Sequence, residues 1–360
     1  MMNFDMAAFY EKTLTDFVDS ATPEGRFLDT APSTGIDYCG LAWAMAHPYL
    51  VETLYRYYGD RRVVEQHYAA AARWLEGVAK ANPGHIIEAG LNDHEGLEEA
   101  KPAVMVTPLY YDSARRQARL ARLLGKSEDA KRWDGLAEEI AAAYRKQFVD
   151  AASGKVGPGT QASQAFALHT GVAAENEREA ILAVLLDKIK NYKGGHFSTG
   201  ILGTRFALET LSREGLADLV LQTVERPGVP GWRYMLDNDA TTLWEHWEGS
   251  DNTFSHNHPM FGSVSQWFHQ WLGGIQPATD AVGFDRIVIR PQVVGDLSWV
   301  KCSHHSIHGL IRSDWRIVDG VLELDVTIPA NRTAEVYVPA GSAEAVKEGG
   351  RPAAQADGVK

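Results

Sequence analysis

One stretch of this sequence concentrates the residue types that chemistry on a sugar requires. Residues 240–267 read ATTLWEHWEGSDNTFSHNHPMFGSVSQW, with Glu245 between Trp244 and Trp247 and a Ser-His-Asn-His run about ten residues later. Aromatic faces pack on the C–H side of a pyranose, while carboxylates and imidazoles hydrogen-bond its hydroxyl groups. The stretch therefore predicts a carbohydrate site in which Glu245 is a catalytic carboxylate of a glycoside hydrolase. The alternative for a single glutamate is a surface ion pair or a helix cap.

Tryptophans near this stretch have two possible roles. Four of them could stack on a sugar ring or could belong to the hydrophobic core: Trp43, Trp232, Trp244 and Trp247. Stacking is favoured for Trp244 and Trp247 because they flank the candidate carboxylate.

Residue types alone also raise the possibility of a metal site. His246, His256 and His258 are close in sequence, but they lack the i, i+4 histidine pair with a recruiting acid that a helical zinc site uses. We therefore predict no metal and no other cofactor. Three later histidines are interpreted as structural or surface residues: His304, His305 and His308.

Composition limits the classes of protein and of partner. The 360 residues are 45% hydrophobic and 23% charged, as in a soluble globular protein with one large domain and one small one. A net charge of −12 argues against nucleic acid or an anionic membrane surface as partner. Cys39 and Cys302 are too few for a disulfide framework. The N-terminal residues lack the pattern of a signal peptide, which predicts a cytoplasmic protein.

The chain up to residue 275 alternates amphipathic helical patterns with turns. Apolar residues recur at helical spacing in about ten segments. Turns at Gly59-Asp60 and Gly125 join helices in pairs, whereas long polar loops at 22–40 and 88–102 connect one pair to the next. We predict a toroid of helical hairpins over 1–275, with its functional site on the face formed by the long loops.

From residue 276 the pattern changes to that of strands. Leu322, Leu324 and Val326 alternate with polar residues, and Asp319-Gly320 is a strong hairpin signal. Residues 276–343 are therefore predicted to form a small antiparallel β-domain. The tail, 344–360, is polar and lacks apolar periodicity, which predicts disorder.

Several motifs occur together in one order. ATTLWEHWEG is followed by SHNHPMFGSVSQW, a Gly-Ile turn, FDRIVIRPQ and TIPANRTAEVYVP, and the earlier segments YRYYGDRR, GLND and STGILGT agree with them. In this order and spacing the chain, over about residues 3 to 340, resembles bacterial α-L-rhamnosidases of glycoside hydrolase family 78. The resemblance implies an (α/α)6 barrel followed by an antiparallel β-sandwich. It also implies an enzyme that removes terminal α-L-rhamnose from a rhamnose-containing oligosaccharide or glycoside.

The resemblance further implies roles for individual residues. Inverting glycosidases use an acid that protonates the leaving oxygen and a base that activates water, about 6.5–9.5 Å apart. Glu245 matches the general base of the family, and His258 matches a residue that contacts the sugar. Asp93, in GLND, aligns with an acidic residue near the subsite, and His256 is an alternative to His258.

The chain departs from the family pattern at the general acid. In the family this acid lies in an Arg-Asp-Glu motif just ahead of the segment that resembles NFDMAAFYEKTLTDF, and that motif is not in this sequence. We therefore expect the chain to start inside the barrel, with the barrel incomplete at the N-terminus. Glu95 and Glu248 are candidate replacements for the acid.

Two other functions are compatible with the same residues. One is a non-hydrolytic or degenerate carbohydrate-binding protein that keeps the pocket without the chemistry. The other is a different toroid enzyme, such as a polysaccharide lyase, in which a tyrosine or histidine abstracts a proton. The rhamnosidase-like motifs around Glu245 and His258 favour hydrolysis.

Overall fold

The computed structural model describes residues 1–249, 255–356 and 358. Its packing forms two compact units, of which the first comprises Met1 and Asn3–Val264 and the second comprises Met2 and Ser265–Lys360. Helices build the first unit, and strands build most of the second.

The helices of the first unit follow one another in chain order. They are α1 Ala7–Asp19, α2 Leu41–Ala44, α3 Ala46–Tyr58, α4 Arg61–Ala81, α5 Pro102–Leu123, α6 Ser127–Phe148, α7 Gln161–Thr170, α8 Arg178–Asn191, α9 Ile201–Arg213, α10 Ala217–Val224 and α11 Trp232–Asp237. Two antiparallel strands of two residues each, β1 (Val149–Asp150) and β2 (Lys155–Val156), form a short hairpin between α6 and α7. Helix α12, Ser263–Trp267, and a π-helical turn, Phe268–Leu272, lead towards the strands.

Short turns join the helices into antiparallel pairs, as the sequence predicts. Helix α3 ends at Gly59, whose φ of 70° is a left-handed conformation that glycine adopts without a steric penalty. Asp60 then caps α4, because its side chain accepts a hydrogen bond from Arg62 N at 2.9 Å. Similar short connections join α5 to α6, α7 to α8 and α9 to α10.

Helix α7 is buried over most of its length and carries polar side chains that need partners. The side-chain amide of Gln164 finds partners in two neighbouring segments. Its Nε2 donates to the carbonyls of Gly154 and Ile181 at 2.8 and 3.1 Å. Its Oε1 accepts from Val156 N at 2.7 Å. The buried amide is thus fully paired, as a polar group inside a core requires.

Backbone hydrogen bonds join the long loops to one another. The backbone N–H of Leu91 donates to Cys39 O at 3.0 Å, which joins the loop after α4 to the loop after α1. Ile201 N donates to His94 O at 2.9 Å, which joins the first of these loops to the start of α9. Chains that reverse direction at each helix place successive long connections on one face, and these bonds link the connections there.

A buried histidine pair connects α3 to α4. His47 Nε2 and His67 Nδ1 lie 3.3 Å apart, and the His47 ring lies 4.3 Å from the ring of Phe27. Burial in these apolar surroundings, with a smaller contribution from His67, lowers the pKa of His47 to about 3. The imidazole is therefore neutral in the folded protein at neutral pH.

Strands in the second unit form two three-stranded sheets. Sheet order is β3-β4-β8 in one and β5-β6-β7 in the other. The strands are β3 Ile275–Pro277, β4 Arg286–Ile289, β5 Trp299–Ser306, β6 Gly309–Val318, β7 Val321–Thr327 and β8 Thr333–Val336, and a two-stranded ribbon of β9 Lys347–Glu348 and β10 Arg351–Pro352 follows them. The pair β4–β8 is parallel, which differs from the purely antiparallel arrangement expected from the sequence. The chain makes this pair by crossing over through the β5–β7 meander.

The β6–β7 hairpin agrees with the sequence pattern in detail. Val318 pairs with Val321, and the two turn residues, Asp319 and Gly320, have φ angles of 50° and 77°. Positive φ at both central residues is the type I′ geometry that matches the twist of paired strands. The apolar residues of β7 alternate with exposed polar residues, as predicted. Within the described residues, no helix is long and apolar enough to cross a bilayer.

Candidate active site on the loop face

Asp93 fixes the N-terminus of α9. Its Oδ1 accepts hydrogen bonds from Leu202 N and Gly203 N at 3.1 and 2.8 Å, and its Oδ2 accepts one from Gly200 N at 2.6 Å. The side chain is buried, and this burial raises its pKa to about 6, while the three N–H donors act in the opposite direction. Both carboxylate oxygens are engaged by the backbone, which favours a positioning role over direct contact with a sugar.

Asp29 organises a second loop in the same way. Its Oδ2 accepts from Tyr38 N and Cys39 N at 2.6 and 2.5 Å, and its Oδ1 accepts from Gly40 N at 2.9 Å. A side chain at Gly90 would approach the Cys39 carbonyl, so the close passage of the two loops depends on glycine there. Sequence reasoning missed Asp29, because a loop aspartate has no local signal that distinguishes a buried cap from a solvated carboxylate.

The loop ahead of α9 is held by α7. Gln161 donates from Nε2 to His196 O at 3.1 Å and accepts from Ser198 N at 3.0 Å through its Oε1. Glu98 accepts from Gln161 N at 3.0 Å and from the Ser198 hydroxyl. These bonds fix the segment that leads to Thr199, so that its carbonyl becomes an anchor for the tryptophans described below.

Glu245 forms a reciprocal pair with Ser255. The backbone N–H of Glu245 donates to Ser255 O at 2.9 Å, and Ser255 N donates to the Glu245 Oε2 at 2.9 Å. The side chain of Glu245 is half-buried. The two segments that the sequence marks for sugar chemistry are therefore joined at the carboxylate itself.

His258 continues this pairing. Its backbone N–H donates to Leu243 O at 2.9 Å, and its Nδ1 accepts from Met260 N at 3.2 Å. Because Nδ1 is an acceptor, the neutral ring carries its proton on Nε2 and can donate from there. The structure thus orients His258 as a hydrogen-bond donor.

Trp244 and His256 stack on one another. Their ring centroids lie 5.3 Å apart with an interplanar angle of 30°. The Thr242 hydroxyl donates to the His256 carbonyl, and Tyr234 meets Trp244 edge-on at 6.2 Å. Trp244 is buried whereas His256 is exposed, so the imidazole is the member of the stack that faces solvent.

Trp247, Trp232 and Phe261 form an aromatic cluster. Trp247 stacks on Phe261 with centroids 3.7 Å apart, and its Nε1 donates to Thr199 O at 2.9 Å. Trp232 meets Trp247 edge-on at 5.1 Å, and its Nε1 donates to Phe261 O at 3.1 Å. With 2% and 6% of their surface exposed, these two indoles are core residues of the site rather than an open stacking surface.

A further carboxylate, Glu95, lies between two histidines. Its Oε2 contacts His246 Nδ1, and its Oε1 lies 3.6 Å from His94 Nε2. The His94 ring meets the half-buried Trp43 edge-on at 5.8 Å. Glu95 therefore links its own loop, which also carries His94, to His246, the residue after Glu245.

The predicted site residues are connected through these contacts. Glu245, Trp244, His256 and His258 are joined by the pairing of their two segments, and Trp232 and Trp247 contact one another edge-on. Asp93 is connected to these residues indirectly, because it binds Gly200 N and the adjacent Thr199 carbonyl accepts from Trp247. Trp43 is connected to them through His94, Glu95 and His246. Within 1–249, 255–356 and 358, no three His, Cys, Asp or Glu side chains are grouped as a metal ion would require.

Two family models match the chain in sequence order. Residues 1–272 match the bacterial alpha-L-rhamnosidase 6 hairpin glycosidase domain, and residues 274–352 match the bacterial alpha-L-rhamnosidase C-terminal domain. These matches confirm the resemblance found in the motifs and the predicted order of a helical-hairpin toroid followed by a β-domain.

Individual relatives agree with the models. A curated α-L-rhamnosidase of Streptomyces avermitilis is 32% identical over 354 residues, which are 95% of this chain and 34% of that protein. The structure of an α-L-rhamnosidase from Dictyoglumus thermophilum has a TM-score of 0.92 at 30% identity and covers 99% of this chain and 41% of that one. The S. avermitilis α-L-rhamnosidase complexed with L-rhamnose has a TM-score of 0.88 at 30% identity, over 94% of this chain and 33% of that one. The chain thus spans about a third of the length of the curated S. avermitilis protein.

Proposed function

We propose a function from the family to which this chain belongs, the bacterial α-L-rhamnosidase six-hairpin glycosidases. In this proposal the loop face of the chain binds terminal α-L-rhamnose and takes part in hydrolysis of the glycosidic bond with inversion. In this proposal Glu245 is the general base. The substrate is an oligosaccharide or glycoside that ends in L-rhamnose, the sugar bound in the structure of the S. avermitilis relative.

The fixed position of Glu245 is the observation that carries the proposal. Ser255 N donates to one oxygen of the carboxylate, and the backbones of the two residues are paired. A general base contributes to catalysis only when it is held within hydrogen-bond reach of the attacking water. The half-buried Glu245 on this paired scaffold meets the first requirement, which is a defined position beside a solvent-facing surface.

The proposed reaction is a single displacement at the anomeric carbon. Glu245 accepts a proton from a water whose oxygen bonds to that carbon on the face opposite the leaving oxygen. The bond from the anomeric carbon to the leaving oxygen breaks, and a general acid protonates that oxygen. The products are L-rhamnose with inverted anomeric configuration and the free alcohol. The acid corresponds to the family's Arg-Asp-Glu motif, which these 360 residues do not contain.

Neighbouring residues supply binding and support in this proposal. His258 donates from Nε2 to a sugar hydroxyl, since its Nδ1 is taken by Met260 N. His256, stacked on Trp244, offers a flat surface to the ring of the sugar. Asp93 supports the pocket by fixing the N-terminus of α9.

The test is hydrolysis of 4-nitrophenyl α-L-rhamnopyranoside by the full 360-residue chain. Glu245→Gln should lower kcat at least about a hundredfold, since general base catalysis contributes about 10²–10⁴-fold. Glu99→Gln, on an exposed side chain of the same loop face, is the charge-matched control and should leave the rate unchanged. If Glu245→Gln stays within tenfold of the unaltered chain, Glu245 is not the base.

Stereochemistry and product structure separate the proposal from its alternatives. Proton NMR of the first-formed rhamnose should show the β anomer, as inversion requires. Binding of L-rhamnose without hydrolysis of any rhamnoside would instead indicate a degenerate carbohydrate-binding protein. Release of an unsaturated sugar from an acidic polysaccharide would indicate a lyase.

A further inference from the structure

We propose that Glu95 is a positioning residue for Glu245 and that it acts through His246. The inference rests on the proposed function in one respect, the role of Glu245 as the base. The backbone conformation of Glu95 and the contact of its carboxylate with His246 give it a fixed position near Glu245.

The backbone at Glu95 adopts a conformation that its side chain disfavours. Asp93 O accepts a hydrogen bond from Gly96 N at 2.8 Å, which closes a four-residue turn with Glu95 in the third position. Glu95 has a φ of 65°, in the left-handed region where glycine or asparagine is the favoured residue. A glutamate here costs free energy that a glycine would not, and such strain is concentrated at functional sites.

The turn that carries Glu95 is anchored on both sides. Asp93 accepts three backbone hydrogen bonds from the start of α9, and Leu97 N donates to Ser198 O at 2.8 Å. The strained residue is therefore held between two anchored neighbours. Anchors of this kind over-determine the conformation at Glu95, which is the condition under which strain persists.

The side chain of Glu95 reaches the segment that contains the base. Its carboxylate, with 15% of the side chain exposed, contacts His246 Nδ1. His246 lies between Glu245 and Trp247, and the indole of Trp247 is fixed on Thr199 O. Glu245 is thus held from two directions, by Ser255 on one side and by the Glu95–His246 pair with Trp247 on the other.

Stability alone is a poor explanation for this arrangement. In this largely buried contact, the left-handed backbone at Glu95 offsets part of the free energy that the contact contributes to folding. Displacement of a reacting group by about 1 Å, in contrast, can lower a rate about a hundredfold. Glu95 is therefore better explained by the position it gives to Glu245 than by the stability it gives to the fold.

The test compares Glu95→Asn with Glu99→Gln as the control, in the full chain. Asparagine tolerates positive φ but is shorter than glutamate by one methylene group, so strain is relieved while the contact with His246 is lost. We expect an unchanged or higher Tm, a kcat lowered at least about tenfold and a KM within about threefold. Combining Glu95→Asn with His246→Gln should add little to the loss seen with either change alone, because both break the same contact.

Two outcomes would overturn the inference. A lower Tm with an unchanged kcat would show that the Glu95–His246 pair only stabilises the fold. The second outcome comes from comparing the loss of kcat on 4-nitrophenyl α-L-rhamnopyranoside with the loss on methyl α-L-rhamnopyranoside. 4-Nitrophenolate is a good leaving group and needs no proton donor, whereas the methyl glycoside needs one. Equal losses on both substrates support positioning, whereas a loss confined to the methyl glycoside would make Glu95 the proton donor instead.

Failure of the proposed function would be recognised separately. If the unaltered chain hydrolyses no rhamnoside, hydrogen exchange of the backbone amides of residues 243–247 provides the readout. Positioning predicts that Glu95→Asn speeds exchange at Glu245, whose amide donates to Ser255 O, at least about tenfold while α5 and α6 are unaffected. Unchanged exchange at this amide would contradict the role of Glu95 whatever the chain's activity.

Discussion

Asp93 Oδ2 accepts a hydrogen bond from the backbone N–H of Gly200 at 2.6 Å, although the two residues are 107 positions apart in the sequence. A side chain at Gly200 would collide with the loop of Asp93, and one at Gly203 would collide with the carboxylate itself. The contact therefore depends on glycine on one side and on a carboxylate on the other. It makes the turn that carries Glu95 continuous with the start of α9.

Asp93→Asn should destabilise the chain. Asparagine keeps one acceptor oxygen but directs an NH₂ group at backbone N–H donors, which leaves at least one of them unsatisfied in a buried place. The free energy of unfolding should fall by about 2–3 kcal/mol, as measured by urea unfolding at pH 7. Asp325→Asn, on the exposed face of β7, is the control. An equal unfolding midpoint for the two variants would contradict the capping role.

Trp247→Phe should also lower stability, through one lost hydrogen bond. The phenyl ring can still stack on Phe261, but the carbonyl of Thr199 loses its donor from Nε1. The Thr204 hydroxyl still donates to this carbonyl at 3.3 Å, so the expected loss is that of one hydrogen bond, about 0.5–1.5 kcal/mol. The matched control is Trp299→Phe, at an indole that is 61% exposed, where we expect less than about 0.5 kcal/mol. Thermal unfolding of both variants provides the comparison, and equal losses would argue against a specific role for the Nε1 bond.

His258 separates loop stability from sugar binding. In His258→Asn the amide oxygen can replace Nδ1 as acceptor for Met260 N, while the donor at Nε2 is removed. We expect an unchanged Tm and about tenfold weaker binding of L-rhamnose, which corresponds to the loss of one hydrogen bond of about 1.4 kcal/mol. Isothermal titration calorimetry measures the affinity, with His305→Asn on exposed β5 as control. Full affinity in His258→Asn would exclude His258 as a donor to the sugar.

His47 should make the chain sensitive to acid. Its pKa is lowered to about 3 in the folded protein, against about 6.5 when unfolded, so the unfolded chain binds more protons between these values. Stability is therefore complete above pH 6.5 and is lost as the pH falls towards 3, by at most about 1.4 kcal/mol per pH unit from this group.

The variant His47→Gln isolates this contribution. Glutamine does not titrate, so the difference in unfolding free energy between the two proteins should shrink or change sign from pH 7 to pH 4.5. Asp93, with its raised pKa, contributes in the opposite direction but is present in both proteins and cancels in the difference. His305→Gln should follow the unaltered chain at every pH. A constant difference between His47→Gln and the unaltered chain would contradict the argument.

Features set by neighbours in sequence could be predicted. The Gly59-Asp60 turn between α3 and α4 and the Asp319-Gly320 hairpin follow from residues whose backbone preferences are local. The segment around Glu245 was also found from sequence, because its unusual residue types are contiguous. The parallel pairing of β4 with β8 was not predicted, since no local pattern records which distant strand becomes a neighbour.

Contacts between distant loops were beyond the reach of sequence patterns. Asp29 and Gln161 organise the loop face through hydrogen bonds to backbone groups far along the chain. Nothing in their immediate neighbours distinguishes them from solvated polar residues. The two possible roles of Trp232 and Trp247 could be separated only by their exposure and by the carbonyls that accept from their indole N–H groups.

The carboxylate at the start of α9 has a consequence for which sugars the loop face can discriminate. An exposed helix N-terminus attracts anions, and a uronic acid could place its carboxylate there. Asp93 already occupies that position with three hydrogen bonds, and Glu95, Glu98 and Glu245 add negative charge to the same face. We therefore expect electrostatic rejection of acidic sugars, and a preference for an uncharged deoxysugar that arises from repulsion as much as from complementary contacts.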